Sequence, residues 1–257
     1  MDSTPLVSRD EWLTARQALL IKEKELTQAR DALARQRRAL PMVRIDKDYY
    51  FDTERGQESL AALFKGRSQL IVIHFMFGED WDEGCPSCSF WADHYSGIDV
   101  HLAARDTSLI CVSNAPLERL LAYRDRMGWR LDWVSAAGTD FSADFGVTFM
   151  DRQPGPMGGY NYTDQVPSEE LPGVSVVSRL ADGTLAHSYS TYARGLDSLN
   201  TAYQLLDLTP KGRDEDALPF SMAWVCRRDQ CDRFLLFVSF SACLWAILAS
   251  VFPVLVP

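Results

Sequence analysis

Apolar and polar positions change their period along the chain, and each change marks an element. Trp12, Leu19, Leu26, Leu33 and Leu40 recur every seven residues, with Ala15 and Ala29 beside the stripe. Charged residues such as Lys22, Glu23, Lys24 and Glu25 fill the other faces. This period predicts one amphipathic helix over residues 8–40. Ser8-Arg9-Asp10-Glu11 supplies a capping box at its start, and Pro41 stops it. The companion positions of the stripe are mostly polar, so packing along the domain is the expected use. Pairing with a second copy of the chain, as a homodimer, is the alternative.

Past Pro41 the period drops to two. VRIDKDYYF alternates as a strand does, and SLAALFKG reads as a short helix or turn. SQLIVIHFMF is a continuous, β-branched apolar run, which predicts a central strand covered on both faces. A helix is expected from Cys85 through Ala104, burying Phe90, Trp91, Tyr95, Ile98 and Leu102. TSLICVSN predicts a second buried strand, and Pro116 opens the helix LERLLAYRDRMG. A short strand at Trp133-Val134 precedes an irregular stretch to Gly173. VSVVSRL and TLAHSYSTY then pair as a hairpin across Ala181-Asp182-Gly183, and LDSLNTAYQLLD closes the domain as a helix.

The order β-α-β-α-β, then ββα, predicts an α/β protein of thioredoxin-like fold, a central mixed sheet flanked by helices, with the long N-terminal helix added. The domain organisation follows: the helix at 8–40, a thioredoxin-like domain at 41–228 and an apolar C-terminal tail at 229–257.

The tail changes the expected location. From Phe234 to Pro257 no residue is charged. As a helix those residues would span about 36 Å, enough to cross a bilayer core. Arg227, Arg228 and Arg233 stand just before it and would keep the domain on the cytoplasmic side. The segment is therefore a candidate membrane anchor, against a buried C-terminal helix or non-native sequence read past a lost splice site. The polar, acidic N-terminus lacks the apolar run of a secretory signal, so a cytoplasmic setting is expected, membrane-tethered if the tail inserts.

Composition narrows the partners. Hydrophobic residues make up 47% and charged residues 24%, ordinary for a domain with a full core. A net charge of -9 argues against non-specific nucleic-acid binding. Six cysteines in 257 residues do not form a disulfide scaffold. In a reducing setting a C-x-x-C is more often catalytic or metal-binding than structural.

That motif lies in FMFGEDWDEGCPSCSFWADH, residues 75–94. Following a buried strand, Cys85 falls near the N-cap of the next helix, with Pro86 first in the helix and Cys88 about one turn in. Free amides at a helix start favour a thiolate at Cys85, and Cys88 is placed to resolve a mixed disulfide. Glu79, Asp80, Asp82 and Glu83 oppose this if they lie close to the sulfur, since like charge disfavours the thiolate. No Lys or Arg in the motif offsets them, and Trp81 and Trp91 are placed to shield the sulfurs. Cys85, Cys88, His94 and His74 could ligate a metal, but a second ligand pair is missing, so neither a metal nor a cofactor is expected. Cys111 reads as inert strand packing, and Cys226 and Cys231 as cysteines without an identifiable partner.

Several motifs now converge. Glu11-Trp12-Leu13, KEKELT at 22–27, HFMFG at 74–78, GCPSCSFWAD at 84–93, YRDRMGW at 123–129, DFGV at 144–147 and YSTYARGLD at 189–197 resemble the thioredoxin-like family catalogued as domain of unknown function 899. The resemblance runs from about Glu11 to Arg228. It implies a fold related in outline to thioredoxins and peroxiredoxins, and no established reaction. The residues between the cysteines are Pro86-Ser87 where thioredoxins carry Gly-Pro. Asp82 stands where a peroxiredoxin would carry Thr. Pro172 is the candidate for the proline that faces the cysteines.

The expected activity is thiol–disulfide exchange, with Cys85 attacking and Cys88 resolving. The substrate would be a small-molecule or protein disulfide, with a thiol reductant as partner. The alternative is a pocket that binds or transforms an aromatic metabolite without dithiol cycling. In both readings Tyr192 and Arg194 border the pocket and Tyr160 and Tyr162 lie over it as a lid, with Trp81 and Trp91 beside the thiols.

Overall fold

Alternation along two apolar strands builds both faces of the fold at once. The computed structural model describes residues 4–231 of the chain. Its elements are α1 (Arg9–Arg38), β1 (Val43–Arg44), β2 (Tyr50–Thr53), β3 (Gly56–Ser59), α2 (Leu60–Leu63), β4 (Gln69–His74), α3 (Pro86–Ala92), α4 (Asp99–Ala103), β5 (Thr107–Ser113), α5 (Leu117–Met127), β6 (Trp133–Ser135), α6 (Phe141–Asp144), β7 (Gly173–Arg179), β8 (Leu185–Tyr192) and α7 (Thr201–Leu206). The strands form a mixed sheet in the order β1-β8-β7-β4-β5-β6-β2-β3. β4 is central, parallel to β5 and antiparallel to β7. Leu70 and Val72 of β4 join Ile110 and Val112 of β5 in one core, with Phe51, Phe64 and Phe141. Ile73 of β4 and Leu109 and Cys111 of β5 face the other core, which holds Phe75, Cys85, Cys88, Trp91 and Trp133. The parallel β4-α3-β5-α5-β6 half followed by the β7–β8 hairpin and α7 is the thioredoxin-like arrangement that the pattern predicts.

Three expectations need correction. The helix expected from Cys85 to Ala104 is two helices, because Gly97 adopts φ 88° between α3 and α4. Residues with a side chain rarely take that conformation, and Ile98 turns outward in consequence. VRIDKDYYF is not one strand: β1 pairs with β8 near one edge, while β2 pairs with β6 and β3 near the other. The charged turn between them is fixed by Lys47, which bridges Asp140 (2.6 Å) and Asp144 (2.7 Å). The closing helix is likewise a 3-10 segment, Ala193–Leu199, then α7, whose start is capped by Asn200 accepting from the Tyr203 amide at 3.1 Å. Ser190, at the end of β8, bonds Ser175 of β7 inside the sheet.

The N-terminal helix forms as expected but packs differently. The Ser8 hydroxyl accepts from the Glu11 amide at 3.3 Å, and Glu11 accepts from the Ser8 amide at 2.9 Å. No residue of α1 is buried. Trp12, Leu19, Leu26 and Leu33 are all 45–54% exposed, so the expected packing along the domain does not occur. Both faces of the sheet are already closed by the domain's own cores. Near its C-terminal end α1 approaches β8, where the Arg37 guanidinium lies over the Tyr189 ring at 5.3 Å. Among the described residues no helix is long and apolar enough to cross a membrane. The candidate anchor at 234–257 lies outside the described residues.

Candidate active site: a dithiol beside an aromatic cavity

The sequence around Cys85 folds so that its thiol meets donors instead of acids. Cys85 is the N-cap of α3 and Pro86 takes the first helical position, where its missing amide proton costs no bond. The Cys85 amide donates to the Met76 carbonyl at 3.1 Å, which pins the loop to the strand it leaves. The Cys88 thiol donates to Cys85, and the amides of Cys88 and Ser87 donate after it. Together these push the Cys85 thiol down to about 6 against the opposing effect of burial. Cys88 is pushed well above its ordinary value by the same bond and by its own burial. Both cysteines are buried, each only 8% exposed.

Of the four carboxylates ahead of Cys85, Glu83 is neutralised by arginines. Glu83 pairs with Arg126 and, at 2.8 Å, with Arg227. Arg119 donates to the carbonyls of Glu79 (2.6 Å) and Trp81 (2.8 Å), so the acidic loop is gripped by its backbone. The cations missing from the motif come from α5 and from the C-terminal segment. Arg227 also donates to the Gly84 carbonyl at 2.8 Å and to the Tyr123 hydroxyl at 3.1 Å. Tyr123 bonds Ser89 at 2.8 Å, and Ser89 donates to the Cys85 carbonyl at 2.8 Å. A chain of donors thus runs from Arg227 through Tyr123 and Ser89 to the backbone of Cys85. Sequence reasoning gave none of the three this role, although Ser89 lies in GCPSCSFWAD and Tyr123 in YRDRMGW.

Cys88 borders a cavity of about 1000 Å³. Trp91, Tyr95 and Tyr203 give it an aromatic wall, Pro172 and Gly173 line it too, and Lys211, Arg213 and Met222 close it from the C-terminal side. Trp91 is anchored by donating to the Leu196 carbonyl at 2.9 Å. Arg213 stacks on Tyr203 with its charge 3.9 Å from the ring centre and pairs with Asp197 and Asp207, each at 2.9 Å. Pro172 lies where a facing proline is sought, and every peptide bond among the described residues is trans.

Of the other residues expected at a pocket, Arg194 lines the cavity with its side chain 90% exposed at the rim. Trp91 is in the wall, but Trp81 is at the surface, its ring against Gly78. Tyr192, Tyr160 and Tyr162 are not part of the lining. Tyr192 is buried in a separate cluster with Val147, Phe149 and Tyr160, and its hydroxyl donates to the Phe145 carbonyl at 2.8 Å. Tyr160 is a strut instead of a lid: its hydroxyl donates to the Pro172 carbonyl (2.7 Å) and accepts from the Ala193 amide (2.9 Å), tying together two parts of the cavity wall. Tyr162 is exposed and bonds the Ser190 carbonyl at 3.2 Å.

The remaining candidates separate as well. His74 stacks near Phe141 and Phe145 on the far face of the sheet, bonds Ser175 at 2.8 Å and is held neutral by burial, its pKa pushed down to about 3. His94 packs edge-on against Phe90. Among the described residues no cluster of three metal-ligating side chains forms. Cys111 is a buried strand thiol pushed up to about 12 by desolvation. Cys226 and Cys231, expected to lack a partner, are joined to each other by a disulfide.

The strand order and the dithiol at the β4–α3 junction define a protein of the thioredoxin-like class. The chain belongs to the family described as "Bacterial protein of unknown function (DUF899)", which it matches over residues 1–231. Among curated protein sequences nothing matches. Solved structures similar in outline include the peroxidoxin BcpB from Mycobacterium tuberculosis, at 14% identity and TM-score 0.42, covering 65% of this chain and 96% of that one. The mitochondrial 2-Cys peroxiredoxin from Plasmodium falciparum is 12% identical with TM-score 0.40, covering 66% and 95%. A thiol:disulfide interchange protein from Bacteroides sp. is 13% identical with TM-score 0.40, covering 69% and 97%. Likeness at this level is one of outline, and the fold class rests on the topology above.

Proposed function

We propose that the protein is a thioredoxin-fold thiol–disulfide oxidoreductase. The observation that carries this reading is the placement of the dithiol, with Cys85 as the N-cap of α3 and Cys88 in its first turn beside the cavity; donation from Cys88, which lowers the Cys85 thiol, supports it. The Cys85 thiolate attacks a substrate disulfide, forming a mixed disulfide and expelling one substrate thiolate, which takes up a proton. Cys88 then loses its proton and attacks the Cys85 sulfur, closing the intramolecular disulfide and releasing the second substrate thiolate. Two electrons pass to the substrate, and a thiol reductant restores the dithiol. The cavity beside Cys88 supports a small molecule or one extended peptide strand as substrate. Trp91, Tyr95 and Tyr203 would contact its apolar part, and Arg194 a carboxylate at the rim.

The aromatic wall also favours a second reading, the binding of an aromatic metabolite without dithiol cycling. Equilibration with dithiothreitol buffers of defined potential, followed by thiol trapping, separates the two. A reversible two-electron couple on Cys85 and Cys88, lost in Cys85→Ser, is expected; absence of any couple in the wild-type protein contradicts the first reading.

A further inference from the structure

We propose that Cys226 and Cys231 are a reversible redox pair whose reduction opens access to Cys85. The two are joined by a disulfide and stand five positions apart in sequence. A bridge across so short a loop restrains the unfolded chain little, so it is a poor staple for the fold. Both cysteines are half-buried and belong to neither hydrophobic core. A disulfide in that position is open to a thiol reductant in a way that one sealed in a core is not.

The residues inside the ring hold the loop that carries Cys85. Gly84 is buried, and the donations its carbonyl receives among the described residues both come from Arg227, at 3.1 and 2.8 Å. Arg227 also pairs with Glu83 at 2.8 Å, and Asp229 with Arg126 at 2.7 Å. The Arg227 carbonyl accepts from the Gln230 and Cys231 amides at 2.8 and 3.0 Å, forming a turn that the disulfide fastens. A dithiol reductant breaks the S–S bond: two electrons and two protons pass to Cys226 and Cys231, and the reductant leaves as its own disulfide. With the turn unfastened, Arg227 leaves the Gly84 carbonyl. A buried carbonyl without a donor is costly, so the loop opens to water and uncovers Cys85. The donors that lower the Cys85 thiol come from Ser87 and Cys88, so its acidity survives the opening. The inference rests on Cys85 as the attacking thiol of the reading above, and not on the dithiol cycling.

Alkylation of Cys85 by iodoacetamide, mapped by peptide mass, tests it in a Cys88→Ser background that keeps Cys85 a free thiol. Adding Cys226→Ser with Cys231→Ser, which mimics the reduced pair, is expected to raise the rate several-fold. Arg227→Ala with the disulfide intact gives the same rise, and combining it with the two serines adds nothing further. In the wild-type protein, dithiothreitol buffers and thiol trapping are expected to show a reversible couple on Cys226 and Cys231. An unchanged or slower Cys85 rate without the pair overturns the proposal. So do additive effects of Arg227→Ala and the two serines, or a disulfide that dithiothreitol reduces only once the protein is unfolded. A missing couple on Cys85 and Cys88 contradicts the exchange reading alone and leaves these outcomes to decide the gate.

Discussion

The acidity of Cys85 has a local source, and its largest single contributor is the thiol of Cys88. As pH falls through about 6 the Cys85 thiolate takes up a proton and its reactivity falls with it. Cys88→Ala removes the main donor, so the neutral thiol gains ground and the iodoacetamide rate profile of Cys85 moves to higher pH. At pH 6 the alkylation rate is expected to drop several-fold, and an unchanged profile would mean that the backbone amides alone hold the thiolate. The position of Cys85 at a strand-to-helix junction was legible from GCPSC after an apolar run. The support of its backbone was not. Arg227, Tyr123 and Ser89 meet across 138 residues of chain, and no local pattern announces such a contact. Glu83 misleads for the same reason: Arg126 and Arg227, which neutralise it, are far away in sequence.

Among the elements, β7 and β8 carry the strictest packing demand. A Cβ at Gly173 would lie 2.8 Å from the Tyr192 ring and 3.0 Å from Val147, closer than carbon atoms tolerate. Tyr192 cannot simply swing away, because its hydroxyl is bound to the Phe145 carbonyl. Gly173→Ala is therefore expected to cost about 1–3 kcal/mol in a urea melt, and a variant as stable as the wild type would contradict this packing. β4, β5 and the β7–β8 hairpin could be read from sequence because β-branched apolar runs have few other uses. The break in the helix after Cys85 was harder to see, since the apolar spacing continues straight through Gly97. Tyr192 was assigned to a pocket because a strand-end tyrosine beside an arginine suggests one; which face it takes is set by the register with β7.

Across the whole molecule, one sheet separates two cores and brings the dithiol, an aromatic cavity and the C-terminal segment to the same side. The cavity is closed by residues near Arg213 and Met222, and Arg227 of the same segment bonds to the loop that carries Cys85. Substrate access and thiol positioning thus share one stretch of chain. The central claim is the division of labour between the two cysteines, and a trapped mixed disulfide tests it most directly. Cys88→Ser and Cys85→Ser proteins would each be incubated with oxidised glutathione and the adducts mapped by peptide mass. The account predicts a glutathione adduct on Cys85 in the Cys88→Ser protein and none on Cys88 in the Cys85→Ser protein. An adduct on Cys88 alone, with Cys85 unmodified, would contradict it.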